Sequence, residues 1–199
     1  GALDAEFTAV HVTHPRDDDL SLLAGSSVCA CPTTERDLGD GFLRGHDLLE
    51  AGVPVCLGTD SHTSLDFLAE MRLVEYHERL RQGTRVVLTG EAGGGRLSVG
   101  PPLMEMATAA GARSLGLDGG AIEAGRPADL VAIDLAHPSI LGADAESLGA
   151  TLTLSATPDV VSDVWVAGER RLTDRHHPAL EEAAAAFREV ADRLPPIPT

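Results

Sequence analysis

The sequence predicts an α/β chain built on parallel strands with crossover helices, and three observations carry that prediction. Short apolar runs alternate with helical stretches at roughly 20–30 residues per unit. The first strand and the loops after the next two carry polar residues at 11–14, 33–35 and 60–62, where barrels and open α/β sheets collect their chemistry. After Gly119 the pattern changes to turns and hairpin strands, so the parallel part gives way to a different layer.

Residues 7–12 (FTAVHV) read as a buried strand. Asp17, Asp18 and Asp19 open a short helix, because negative charge suits a helix N-terminus. Residues 27–31 (SVCAC) form a second strand, closed by Pro32 and followed by a loop, CPTTERDLGDG. A helical pattern over 42–51 stops at Gly52. Residues 53–58 (VPVCLG) give the third strand, and Ser64 is the predicted cap of a long helix through Arg81. Its apolar positions are Leu65, Leu68, Met71 and Leu73. Residues 88–100 read as a loop. Their Gly93-Gly94-Gly95 run has neither the preceding strand nor the following Lys-Ser/Thr of a phosphate loop. Pro101 and Pro102 start a helix running to about residue 117.

Beyond Gly119, GGAIEAGRPADLVAIDL reads as turn then strand, and VVSDVWVAGERRLTD as a hairpin with its tip near Ala167-Gly168-Glu169. Residues 148–156 fit a helix or a strand. An amphipathic helix covers 180–194, with Leu180, Ala184, Phe187, Ala191 and Leu194 on one face, and PPIPT reads as a loose tail. The expected divisions are 1–118, 119–175 and 176–199.

Composition narrows the function. Aromatics are 3% of the 199 residues and the formal net charge is −16, which argues against nucleic-acid binding by stacking or by phosphate attraction. No apolar run approaches the roughly 18–20 residues of a membrane span, and no signal core opens the chain. The odd trio Cys29, Cys31 and Cys56 lies in strand-like runs, which fits buried thiols in a reducing cytoplasm.

Two residues carry the chemical reading. His11 ends the first strand; taken alone it is as well explained by a hydrogen-bonded core or loop histidine. Asp60, in VCLGTDSH, ends the third, where a carboxylate is costly unless something positive faces it. A helix N-cap is its plain structural explanation and a metal ligand its chemical one. Glu35 reads equally as a pocket residue or a loop cap, His14 and His62 as peripheral, and His176-His177 as a solvated turn. The C-x-C pair has no second pair, so a cysteine zinc site is not expected.

VHVTH, CPTTERDLGDG and GTDSHTSLDFLAEMRLVEYHERL resemble strands six, seven and eight of the amidohydrolase-superfamily barrel. GGAIEAGRPADLVAIDL is similar to the strand that returns to that superfamily's small β-sandwich. Within the superfamily, CPTTE with LGDG and the long helix look most like the formimidoylglutamate deiminase family. The resemblance implies the C-terminal half of a (β/α)8 TIM-type barrel, strands six to eight, plus part of the β-sandwich and a C-terminal helix. It implies Asp60 as a metal ligand and proton carrier, and His11 as the histidine that hydrogen-bonds the metal-bound water. It further implies Zn2+, with iron or another divalent ion also suited, a small-molecule substrate, and a homodimer. The family's His-x-His pair, its third histidine ligand and its glutamate shuttle have no counterpart in these residues. The reaction the resemblance implies, metal-dependent hydrolytic deamination of N-formimidoyl-L-glutamate to N-formyl-L-glutamate and ammonia, is therefore expected of a larger protein, with an N-terminal barrel half completing the site. Other superfamily substrates (guanine, adenosine-type compounds, triazines) and a non-catalytic fragment are the alternatives.

Overall fold

Three parallel strands in the order β1-β2-β3 organise the first part of the molecule: β1 (Thr8–Val10), β2 (Ser27–Ala30) and β3 (Val55–Leu57). The computed structural model describes residues 3–92 and 96–195. The chain divides into two compact units, Gly1–Arg126 with Leu135–Val160, and Pro127–Asp134 with Val161–Thr199. Each strand is shorter than its predicted run: β1 lacks Phe7, His11 and Val12, β2 lacks Cys31, and β3 lacks Val53, Pro54 and Gly58. The in-register pairs Val10↔Cys29 and Cys29↔Cys56 set the three strand ends level with one another. Val28, Ala30, Val55 and Leu57 pack with Leu48, Val53, Met71, Val74, Leu103 and Met106 into one core. Near-continuous apolar character in β2 and β3 follows from this, since parallel strands are covered on both faces.

The helices correct several expectations. Helix α1 (Asp17–Leu22) begins at the three aspartates. The supposed loop after β2 is α2 (Pro32–Leu38), in which Pro32 opens the helix as well as closing the strand. Gly39, at φ 73°, ends it in the left-handed conformation that glycine adopts without steric cost. Helix α3 (Gly45–Glu50) starts three residues later than its pattern suggested. Phe42 instead stacks on His77, with ring centroids 4.6 Å apart. The long helix α4 (Phe67–Gln82) is capped by Asp66, whose side chain accepts from the N–H groups of Leu68 and Ala69, and Ser64 plays no such part. Leu65 therefore precedes the helix and is exposed.

Glu70, Glu75 and Glu78 of α4 are fully buried. Each satisfies backbone N–H groups of another segment. Glu70 accepts from Thr33 N (2.9 Å) and Thr33 Oγ1 (2.5 Å), which secures the start of α2. Glu78 accepts from Gly45 N at 2.9 Å at the start of α3. Glu75 accepts from Val87 N and Leu88 N. Helix N-termini present orphan donors and partial positive charge, so a buried carboxylate is well placed against them.

Within the predicted loop, β4 (Gly90–Glu91) and β5 (Leu97–Ser98) pair antiparallel; Gly93-Gly94-Gly95 lie outside the described residues. The single helix expected to residue 117 is two, α5 (Gly100–Ala107) and α6 (Ala109–Ser114), broken at Thr108, whose φ −130° and ψ −91° are not helical. The undecided stretch is a helix, α7 (Leu148–Ser155). It crosses α5 so closely that a Cβ on Gly100 would lie 2.6 Å from Ala150 N.

The second unit is an antiparallel sheet of β6 (Leu130–Ile133), β7 (Val161–Val166) and β8 (Glu169–Leu172). Ala167 and Gly168 form the tight turn, both at positive φ. Helix α8 (Leu180–Ala191) ends three residues before its predicted limit, and none of its residues is buried. Among the described residues no helix is long and apolar enough to cross a membrane.

Candidate active site

Where β1 ends, the chain turns abruptly. His11 N still donates to Cys29 O at 2.8 Å, continuing the ladder, but His11 has φ 70° and Val12 φ 51°. Val12 N bonds back to Val10 O at 3.0 Å, making His11 the centre of a positive-φ γ-turn, a rare and strained conformation. A β-branched residue such as Val12 is a true outlier at positive φ. Strain of this kind persists only where the surroundings impose it, and it concentrates at functional sites.

The end of β3 behaves the same way. Gly58 N continues the ladder to Ala30 O at 2.9 Å, and a Cβ at this position would press on Cys29 Sγ at 3.1 Å and Cys31 Sγ at 3.2 Å, so the two thiols would have to give way. Asp60 (φ 51°) and His62 (φ 56°) follow in left-handed conformations. Thr34 of α2 clamps this turn. Its Oγ1 lies 3.0 Å from Thr59 O, to which it donates, and accepts from Ser61 N at 3.1 Å, one residue to each side of Asp60. Glu70, in turn, holds Thr33. The position of Asp60 is therefore set from α4 through α2.

These turns bring His11 and Asp60 together: His11 Nε2 lies 3.6 Å from Asp60 Oδ2. On its other edge, His11 Nδ1 lies 3.3 Å from Glu35 Oε1, which also accepts from Cys31 N at 2.8 Å. The Glu35 carboxylate is wholly buried, whereas the side chains of His11 and Asp60 are 35% and 46% exposed. Burial pushes the Glu35 carboxyl above its usual range; the Cys31 N–H and the His11 ring oppose that shift. Glu35 Oε2 has no hydrogen-bond partner among the described residues. The result is a file of carboxylate, imidazole and carboxylate across the C-terminal ends of three adjacent strands, able to orient a water molecule and hold a proton. A cavity of about 410 Å³ lined by Val12, Thr13, His14, Asp19, Leu22 and Leu23 opens where the chain leaves His11.

Of the remaining sequence candidates, His14 is exposed and lies over Gly41, and His62 is exposed and outside the file. His176 and His177 are exposed. The three cysteines are free thiols. The neighbouring Cys31 thiol is the main cause that pushes Cys29 up to about 12, and Cys56 is pushed up by Cys29 and by burial, so both stay protonated. Sequence reasoning missed Thr34. Its signal was a hydroxyl residue next to Glu35 in CPTTE, but only a helix there gives it a turn to clamp.

Among the described residues, no group of three or more His, Cys, Asp or Glu side chains is arranged to hold a metal ion. Catalytic zinc takes about three protein ligands, and the file supplies one exposed carboxylate with one imidazole beside it. This donor set by itself falls short of the ligands a catalytic zinc needs.

Residues 1–171 match the Amidohydrolase family. The chain is 34% identical to formimidoylglutamate deiminase of Pseudomonas aeruginosa over 97% of its own length and 42% of that protein's. It is also 34% identical to 5-methylthioadenosine/S-adenosylhomocysteine deaminase of Haloarcula marismortui, over 94% of this chain and 42% of the other. Its fold superposes on a zinc-bound adenosine deaminase from Xanthomonas campestris with a TM-score of 0.81 and 29% identity, covering 96% of this chain and 43% of that one. The chain thus spans less than half the length of the relatives it matches.

Proposed function

The chain belongs to the amidohydrolase family, and from that premise we propose that it is the C-terminal part of a metal-dependent hydrolytic deaminase acting on N-formimidoyl-L-glutamate. In this reading β1, β2 and β3 are strands six to eight of a (β/α)8 barrel. Residues 1–118 are its closing half, the β6, β7 and β8 strands within 119–175 are part of a β-sandwich, and 176–199 are a terminal helix and tail. The observation that carries the reading is the His11–Asp60 pair, placed at 3.6 Å by strained turns at the C-terminal ends of the first and third strands. In a barrel that end bears the active site. The choice of substrate is supported by the CPTTE and LGDG segments and by the likeness to the Pseudomonas enzyme.

Asp60 fits as one donor to a divalent metal, zinc in this reading, whose other donors come from residues outside this chain. Bound there, such an ion lowers the pKa of water to about 7 and supplies a nucleophile at neutral pH. The work of this chain is proton handling and orientation. Asp60 takes a proton from the water that adds to the amidine carbon and delivers it to the departing nitrogen, then passes a second proton from the new hydroxyl to the same nitrogen as the carbonyl forms. The C–N bond breaks, ammonia leaves, and N-formyl-L-glutamate remains. His11 orients the water by accepting a hydrogen bond from it. We further propose a homodimer in a reducing cytoplasm, the latter supported by three free cysteines.

Equal identity to the Haloarcula enzyme favours a second reading, a nucleoside deaminase on the same scaffold. Ammonia release by the full-length protein decides between them. The proposal expects kcat/KM for N-formimidoyl-L-glutamate to exceed that for 5-methylthioadenosine or S-adenosylhomocysteine by about 100-fold or more, since buried polar groups in a mismatched site stay unpaired. A preference for either nucleoside overturns it.

A further inference from the structure

We propose that Glu35 is a positioning residue that fixes the tautomer and orientation of His11 from behind the site. The carboxylate has no exposed surface, so it reaches substrate only through the imidazole. Its Oε1 is held by Cys31 N at 2.8 Å, in the turn that joins β2 to α2, and sits 3.3 Å from His11 Nδ1. A neutral imidazole carries one N–H. With that proton on Nδ1, the ring donates to Oε1. The opposite tautomer would set the Nδ1 lone pair against an oxygen lone pair. Nε2, which lies 3.6 Å from Asp60 Oδ2, is then the bare acceptor that faces the reacting water. The unpartnered Oε2 is the place where a proton on Glu35 would reside, so Oε1 remains an acceptor whether or not the carboxyl is ionised. The strained γ-turn gives the ring its direction, and Glu35 supplies the contact that keeps it from flipping.

The consequence for turnover rests on the proposed deaminase reading; the tautomer does not. The test is long-range 1H–15N correlation on the full-length protein with 15N-labelled histidine, combined with steady-state kinetics. In the unmodified protein His11 is expected as the Nδ1–H form with Nε2 unprotonated. E35Q keeps a carbonyl oxygen at Oε1 and should retain that tautomer, with kcat within about threefold. E35L removes the acceptor. It should shift His11 toward Nε2–H and lower kcat by about 10- to 100-fold, with KM within about threefold. An Nε2–H tautomer in the unmodified protein, its persistence as Nδ1–H in E35L, or an unchanged kcat in E35L would overturn the proposal. If E35L does not fold, the tautomers of the unmodified protein and E35Q still decide. A full-length protein that deaminates none of the candidate substrates sinks the functional reading and leaves the tautomer result to judge Glu35.

Discussion

The two ends of the parallel sheet are made of the same three strands and obey different rules. At the C-terminal end, His11, Val12, Asp60 and His62 all hold positive φ, and the file formed by His11, Asp60 and Glu35 mixes exposed and buried charge. At the other end, Val53 and Val55 are buried and line a cavity of about 260 Å³ with Leu49, Pro102, Met106 and the ion-paired Glu105 and Arg113, and the buried residues there are apolar. The contrast teaches that strain is tolerated where side chains must be aimed, and that well-packed neighbours carry the stability which permits it. Substitutions at the first end should change chemistry and spare the fold; those in the core should do the reverse.

The largest separation is expected from D60N in the full-length protein. Turnover should fall about 1,000-fold, within the range of lost acid–base catalysis, while the thermal midpoint moves little, because the side chain is half exposed. A loss of stability matching the loss of rate would erase the distinction between the two ends. The converse case is L48A. Leu48 is fully buried in the core, and its truncation should cost about 2–5 kcal/mol in chemical denaturation with kcat per folded molecule unchanged. A smaller contrast separates D66A from S64A: loss of the cap on α4 should cost about 1 kcal/mol, and the Ser64 change under about 0.5. Equal costs would contradict the assigned cap.

The gentlest effect is on the pH dependence of folding. Burial, only partly offset by the Thr33 donors, raises the Glu70 carboxyl above 4.5. Below 4.5 both folded and unfolded states hold that proton. As pH rises through the folded value, the unfolded state has already lost its proton, so the Glu70 contribution to stability declines. The difference in unfolding free energy between the unmodified protein and E70Q should therefore fall with rising pH above 4.5. A difference that rises over this range would show that the bonds to Thr33 outweigh burial.

The three strands, and the places of His11 and Asp60 just past the first and third of them, were legible in the sequence because apolar runs and their polar ends are local signals. Strand lengths were overestimated, in the first strand because the chain turns at His11 and Val12. Helix α2 was hidden because Pro32 reads equally as the end of one element and the start of another. Glu70, Glu75 and Glu78 carried no local sign of their burial. Charge in a helix reads as solvent-facing, and only the tertiary fold shows that their partners are backbone N–H groups 12 to 37 residues away along the chain. Thr34 was illegible for the same reason, as its role depends on a turn 25 residues later. Residues 148–156 had no periodicity to separate helix from strand, and the close crossing at Gly100 and Gly149 settles them as helix.

The claim that His11 and Asp60 work as one chemical unit is tested most directly by a double-mutant cycle on kcat in the full-length protein. H11N alone should lower kcat about 100-fold, but on the D60N background only about threefold further, because groups acting on the same proton and water are not additive. A full, independent 100-fold loss from H11N in both backgrounds would contradict it.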